Sequence, residues 1–153
     1  MPKPPTILVP ITSSPASMEA VAIACLLAKQ RKAKVHTLHV IEVLRSLPLN
    51  AEMEVEARRG EQILRRAEEI ASANGYHITG ELLQAREAGQ AIVDEAIDRG
   101  IDTVIMGVGY KRLIGAIQMG RTADFVLRNA PCQVWLVRQA FGQQSTDKHG
   151  QQE

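Results

Sequence analysis

The chain of 153 residues has few aromatic residues, few cysteines and no long apolar run. Aromatic side chains make up 3% of it, so aliphatic side chains and alanine must fill the core. The same scarcity argues against a nucleic-acid partner, because bases would find little aromatic surface on which to stack. The net charge is only +1, and the basic residues form no continuous stripe in the sequence. The longest apolar run, Ala20 to Ala28, is far shorter than the roughly 20 residues of a membrane span. One soluble globular domain is predicted.

Metal ligands and nucleophiles are also scarce. Cys25 and Cys132 stand outside any CxxC or Cys/His metal spacing, so two reduced and mostly buried thiols are expected, which is consistent with a cytoplasmic protein. His36 and His39 lie three residues apart in a predicted strand, so they face opposite sides and cannot share a metal. No Ser/His/Asp or Cys/His set can be assembled from the remaining residues.

Apolar runs and amphipathic segments alternate along the chain. The predicted strands are Thr6–Ile11, Lys34–Val43, His77–Ala85, Asp102–Met106 and Cys132–Arg138. The first predicted helix begins after Ser14, and the other three cover Ala51–Ala73, Glu87–Gly100 and Thr122–Asn129. Strict alternation predicts a Rossmann-like α/β fold, with a five-stranded parallel sheet in the order 3-2-1-4-5 and helices on both faces. Residues 1–139 form this domain, and residues 140–153 are predicted to be a disordered tail.

Ligands of such sheets bind beyond the carboxyl ends of the strands, where the winding direction reverses. That rule brings Pro10, Ile11 and Thr12, at the end of strand one, next to the stretch that begins at Gly107. This stretch is neither a dinucleotide fingerprint nor a Walker A motif. Gly107 nevertheless allows a close backbone approach to a ligand, and Gly120 opens a helix whose N–H groups can hold an anion. Lys111, Arg112 and Arg121 add positive charge. A plain surface loop without a ligand could have the same residues.

Catalysis is disfavoured by the residues at the predicted cleft. Asp102 precedes its strand and so lies at the wrong end of the sheet. Thr12, Ser13 and Ser14 are hydroxyls at the right end, but a helix cap already explains Ser14. A phosphohydrolase would need a general base or metal carboxylates, and response-regulator chemistry would need an acidic pair where Thr12 stands. The chain is therefore predicted not to be an enzyme.

Several segments together resemble the universal stress protein family, over Thr6 to Arg138. The matching stretches are the start "ILVPI", the second strand "KVHTLHVIEV", the Asp-x-Val-Ile-Met-Gly signature within "IDTVIMGVGY", and the closing "GRTADFVLRNAPCQVWLVR". The resemblance implies an adenine nucleotide as ligand, namely AMP, ATP or cyclic di-AMP, with Mg²⁺ accompanying ATP. The implied binding residues are Pro10, Ile11, Thr12, Val40, Met106, Gly107, Val108, Gly109, Tyr110, Gly120, Arg121 and Thr122.

Three positions depart from the pattern of ATP-binding members, which is Gly, two residues, Gly, nine residues, then Gly followed by Ser or Thr. Gly107 and Gly120 match the first and third glycines, but Tyr110 replaces the second. Arg121 stands where Ser or Thr is usual, and Thr12 stands where the family has an aspartate. A guanidinium at position 121 could hold a phosphate, and the ring of Tyr110 would narrow the space for a triphosphate.

Two functions remain open at this point. One is a regulatory domain that senses an adenine nucleotide; the other is a dimeric interaction module of the same fold that binds none, in which Arg121 points into solvent. The resemblance implies a homodimer through the last strand, by way of Val134, Trp135, Leu136 and Val137, because an apolar edge strand tends to be paired. It also implies a membrane transporter as a partner in trans or in a longer parent chain.

Overall fold

The computed structural model describes residues 3–113 and 116–140, of which 110–113 and 116–118 are described by their backbone alone. The elements in chain order are β1 (Thr6–Pro10), α1 (Pro15–Arg31), β2 (Lys34–Glu42), α2 (Glu54–Ala73), β3 (Thr79–Ala85), α3 (Ala88–Asp98), β4 (Thr103–Gly107), β5 (Tyr110–Leu113), β6 (Ala116–Met119), α4 (Arg121–Asn129) and β7 (Gln133–Val137). Of the predicted tail, residues 140–153, all but residue 140 lie outside the described residues.

The main sheet has five parallel strands in the order β3-β2-β1-β4-β7. This is the predicted α/β architecture, with β7 as the fifth strand. The strand β1 is central and buried on both faces, as its continuous run of Thr6 to Pro10 requires. One core cluster lies between the sheet and helices α1 and α2, and a second lies between the sheet and helices α3 and α4. The helices therefore cover both faces.

The region from Gly107 to Gly120 is the main departure from the predicted fold. It was expected to be a long loop, but β5 and β6 pair antiparallel in a separate two-stranded sheet, with Tyr110 opposite Met119 and Leu113 opposite Ala116. A short pairing of this kind satisfies backbone groups that a plain loop would leave to water. The prediction of an irregular loop was wrong, because the two runs are too short to show a clear alternation of apolar and polar residues.

Element boundaries shift by a few residues from those predicted. The helix α2 begins at Glu54 rather than Ala51, β3 begins at Thr79 rather than His77, and α4 begins at Arg121 rather than Thr122. The start of α1 is as predicted: Ser14 is the N-cap, its hydroxyl accepts from the Ser17 N–H, and Pro15 occupies the first turn. None of the described helices is long and apolar enough to cross a membrane.

Candidate functional site

A cleft of about 270 Å³ lies at the carboxyl edge of the sheet, where β1 and β4 end side by side. Its apolar part comes from the sheet and from α3, and its polar part comes from the residues that follow β1 and from the start of α4. The lining residues are Pro10, Ile11, Thr12, Ser14, Ser17, Leu38, Val40, Ala88, Ile92, Met106, Gly107, Val108, Gly109, Gly120, Arg121, Thr122 and Ala123. This is the position that the reversal of winding direction predicts for a ligand.

All of the predicted binding residues except Tyr110 line this one cleft. The side chain of Tyr110 lies outside the described part of the chain. The sequence interpretation missed six lining residues, which are Ser14, Ser17, Leu38, Ala88, Ile92 and Ala123. Leu38 could have been found, because it lies two residues before Val40 and therefore on the same face of β2. Ala88 and Ile92 carry no such signal, since only the packing of α3 brings them to the cleft.

Gly107 has a packing role that was not predicted. A Cβ atom at this position would lie 2.2 Å from the backbone carbon of Ala16 and 2.4 Å from the Ser17 nitrogen. The glycine is therefore required where the end of β4 passes against the first turn of α1. Packing inside the domain explains why this residue is glycine; Gly107 also lines the cleft, and its close approach to a ligand stays a prediction.

Gly109 and Gly120 contrast with Gly107. A Cβ atom at either position would meet no described heavy atom within 4 Å. The N-cap Gly120 has φ −68° and ψ 163°, which is extended backbone that other residues also adopt. Contacts do not explain why glycine stands at either position, and the backbone angles do not explain it at Gly120. Both glycines line the cleft. They leave space beside the start of α4 that a ligand could use.

Three helices present their first turns to the cleft: α1 through Ser14 and Ser17, α3 through Ala88, and α4 through Arg121 and its neighbours. A helix N-terminus carries a partial positive charge and unpaired N–H groups. Gly120 supplies no side chain to cap α4. No carboxylate lies among the described residues that line the cleft, and the start of α4, which has no side-chain cap, is the N-terminus that favours an anion.

Thr12, Ser14 and Ser17 form a closed ring of hydroxyls, with oxygen–oxygen distances of 3.1 to 3.2 Å. Each oxygen also accepts one backbone N–H: Thr12 Oγ1 from Ser14, Ser14 Oγ from Ser17, and Ser17 Oγ from Thr12. Three protons and three acceptors thus satisfy one another around the start of α1. The hydroxyl that replaces the family's aspartate is engaged in capping, and a ligand must open the ring to use it as a donor.

Arg121 is held toward a neighbouring carboxylate. Its Nη2 atom lies 3.8 Å from Oε2 of Glu42, and 83% of its side chain is exposed. The prediction allowed it to reach the cleft or to point into solvent. It lines the cleft, yet its charged end is highly exposed, beside the end of β2. Sequence reasoning missed Glu42, because the sequence does not show that it meets Arg121 and the start of α3.

His36, His39 and the two cysteines have structural surroundings. His39 Nδ1 lies 2.8 Å from the Ile11 carbonyl oxygen, on the α2 side of the sheet, while His36 faces the α3 side. Their opposite orientation is as predicted. Burial raises the pKa of the Cys25 and Cys132 thiols, and both cysteines are free. A raised thiol pKa is the opposite of what a nucleophilic cysteine needs.

Within the described residues, no group of three or more His, Cys, Asp or Glu side chains could hold a metal ion. The cleft itself offers hydroxyls and backbone groups but no described carboxylate. It therefore does not suit a Mg²⁺ ion held by protein ligands, and no role is assigned to that ion here. Asp102, excluded from the cleft on sequence grounds, accepts hydrogen bonds from the Thr6 N–H and hydroxyl at the opposite edge of the sheet.

The strand β7 forms one edge of the main sheet. Trp135 and Val137 pack against the core cluster on the α1 side, whereas Val134 and Leu136 pack against the cluster on the α3 side. This division into two faces is as predicted. All four side chains are only partly buried, so apolar surface remains at the edge.

Comparison with known proteins gives a consistent result over most of the chain. The Universal stress protein family matches residues 5–138. A universal stress protein of Methanocaldococcus jannaschii is 30% identical over 138 residues, which cover 86% of this chain and 81% of that protein.

Two solved structures share the fold at low sequence identity. The universal stress protein of Archaeoglobus fulgidus in complex with dAMP has a TM-score of 0.69 and 19% identity, over 90% of this chain and 99% of that one. A family member from Arabidopsis thaliana with AMP bound has a TM-score of 0.64 and 15% identity, over 91% of this chain and 94% of that one.

Proposed function

The chain belongs to the universal stress protein family, and from that membership we propose that it is a regulatory domain that binds an adenine nucleotide, AMP in preference to ATP. It acts by changing its dimer or its contacts with a partner. The observation that carries this proposal is the cleft at the carboxyl edge of the sheet, which combines an apolar half, the start of α4 without a side-chain cap, and no carboxylate among its described lining residues.

The two halves of the cleft suit the two ends of a nucleotide. Leu38, Val40 and Ile92 offer apolar surface to a base, and the start of α4 offers N–H groups to a phosphate. The open space beside Gly109 and Gly120 lets a phosphate approach the backbone. The described lining thus accounts for both recognition elements without a catalytic group.

A single nucleotide with one phosphate fits the cleft better than the alternatives. A volume of about 270 Å³ lies just below the roughly 300–1,000 Å³ of small-molecule sites, which argues against a cyclic dinucleotide. The lack of a described carboxylate removes a natural holder of the Mg²⁺ that accompanies ATP. The Archaeoglobus fulgidus and Arabidopsis thaliana relatives with dAMP and AMP agree with a monophosphate.

Calorimetry tests this proposal. The wild-type protein, Arg121→Ala and the control Arg128→Ala are each titrated with AMP, ATP and cyclic di-AMP. Arg128 lies near the other end of α4 and pairs with Asp124, so its removal should leave binding unchanged. We expect micromolar affinity for AMP at best, and a loss of about 1.5 kcal/mol, roughly tenfold, in Arg121→Ala. Absence of heat with all three ligands would refute nucleotide binding.

A dimeric interaction module that binds no nucleotide is the second candidate. It is favoured by the apolar edge at β7 and by the closed hydroxyl ring, which leaves Thr12 without a spare donor. In both candidates the homodimer forms by antiparallel pairing of β7 with its copy, and a membrane transporter is a partner to test. Neither candidate includes turnover, because a closed hydroxyl ring and two protonated thiols provide no activated nucleophile.

A further inference from the structure

Glu42, the last residue of β2, makes contacts with two helices at once. Its Oε2 atom accepts a hydrogen bond from the Ala88 N–H at 2.8 Å, which caps the start of α3. The same atom lies 3.8 Å from Nη2 of Arg121, the first residue of α4. A single carboxylate therefore connects the first turns of the two helices that border the cleft beyond the sheet edge.

Arg121 stands on the wall between two cavities. On one side is the main cleft, and on the other is a cavity of about 30 Å³ whose lining includes Glu42, Glu87 and Phe125. The side chains of Arg121 and Glu42 are 83% and 42% exposed, and 3.8 Å is too long for a hydrogen bond. A loose, exposed ion pair of this kind is weak. The guanidinium can therefore leave Glu42 for a stronger anion.

We propose that Glu42 sets the charge specificity of the cleft by competing with the ligand's phosphate for Arg121. This inference rests on the proposed binding of an adenine nucleotide. One phosphate at the start of α4 can draw Arg121 away from Glu42, because a charge-assisted hydrogen bond is stronger than the loose pair. Each further phosphate adds negative charge near the Glu42 carboxylate, which stays in place because it caps α3. Glu42 thus favours a monophosphate over a triphosphate.

Glu87 offers a matched control for Glu42. It lines the same small cavity and lies next to Ala88 in sequence, but its Oε1 atom lies 3.7 Å from Nη2 of Arg45, and among the described residues the ion pair of Arg121 is with Glu42 rather than Glu87. Removal of the Glu87 charge changes the electrostatic field near the cleft but leaves the ion pair between Glu42 and Arg121 in place. The comparison of the two glutamates separates a specific competition from a general effect of charge.

The test measures AMP and ATP binding by calorimetry in wild type, Glu42→Gln and Glu87→Gln, with thermal unfolding to show that each variant is folded. Glutamine at position 42 keeps an oxygen to accept the Ala88 N–H and loses only the charge. We expect Glu42→Gln to bind AMP about two- to fivefold more tightly and to gain more for ATP. The preference for AMP then falls, whereas Glu87→Gln behaves as wild type.

Each result has a defined meaning. If wild type binds AMP and Glu42→Gln keeps the same affinities, the competition is refuted while the proposed function stands. If Glu87→Gln matches Glu42→Gln, the effect is general and the role of Glu42 is refuted as well. Binding by Glu42→Gln alone, with a silent wild type, supports the competition but refutes nucleotide binding by the native chain. Silence in every protein refutes both the competition and the proposed function.

Discussion

Replacement of Gly107 by alanine separates the role of this glycine in packing from any role in ligand approach. The added Cβ atom would lie 2.2 Å from the Ala16 backbone carbon, 2.4 Å from its oxygen and 2.4 Å from the Ser17 nitrogen. Carbon atoms in contact are about 3.5–4.0 Å apart, so β4 and α1 must separate by more than about 1 Å. All three obstacles are backbone atoms, and no side-chain rotation can relieve them.

The expected cost follows from this displacement. Overpacking of a well-packed interior costs about 1–3 kcal/mol, and a shift of backbone in two central elements should place Gly107→Ala at the upper end. In a domain of this size each kcal/mol lowers the midpoint of thermal unfolding by about 2–4 °C. We therefore expect a loss of about 3 kcal/mol and a midpoint lower by about 6–12 °C.

Gly109→Ala is the matched control, because its Cβ would meet no described atom within 4 Å. Urea and thermal unfolding of both variants, without nucleotide, provide the measurement. Gly109→Ala should remain within about 0.5 kcal/mol of wild type. Wild-type stability of Gly107→Ala together with lost AMP binding would refute the packing argument and support the ligand-approach interpretation.

Three further predictions concern other regions. Sedimentation at micromolar concentration should show a homodimer that Val134→Asp converts to a folded monomer; a wild-type monomer would refute pairing through β7. Burial, Arg99 and Lys34 lower the pKa of His36, against the smaller opposing effects of Glu81 and Glu95. The folded state therefore favours neutral imidazole, and stability should fall as the pH drops below about 6.5. Urea unfolding at pH 7.5 and pH 5 measures this fall in the free energy of unfolding, which should be smaller in His36→Gln than in wild type. An equal fall in both proteins would contradict the prediction. Phosphate release from ATP should stay below about one turnover per second, and faster release would show catalysis.

The order of elements was predictable because alternation of strand and helix leaves few topologies. The central strand Thr6–Pro10 and the cap at Ser14 carry strong local signals, and both were predicted nearly to the residue. The hairpin of β5 and β6 was not predicted, since four-residue strands carry little periodicity of their own.

The cleft was predictable in outline for the same reason. Strand ends in a parallel sheet share one edge, and that rule brought Pro10 to Thr12 and the residues after Met106 together. The packing role of Gly107 was missed because the sequence does not show which backbone crosses the strand end. Glu42 and Ala88 were missed because their meeting depends on the packing of α3, which joins residues 46 positions apart.

The hydroxyl ring of Thr12, Ser14 and Ser17 constrains how this sequence can drift over evolutionary time. Loss of either serine hydroxyl would leave one backbone N–H and one hydroxyl proton without an acceptor. The two serines are therefore expected to be replaced rarely, and to be replaced together. Thr12 is freer, because an aspartate there could still accept the Ser14 N–H and the protons of both serines. The single replacement of Thr12 by aspartate would therefore give the cleft a negative charge at this position, where the hydroxyl is neutral. The cap that begins α1 would persist throughout, so the scaffold need not be rebuilt when ligand preference changes.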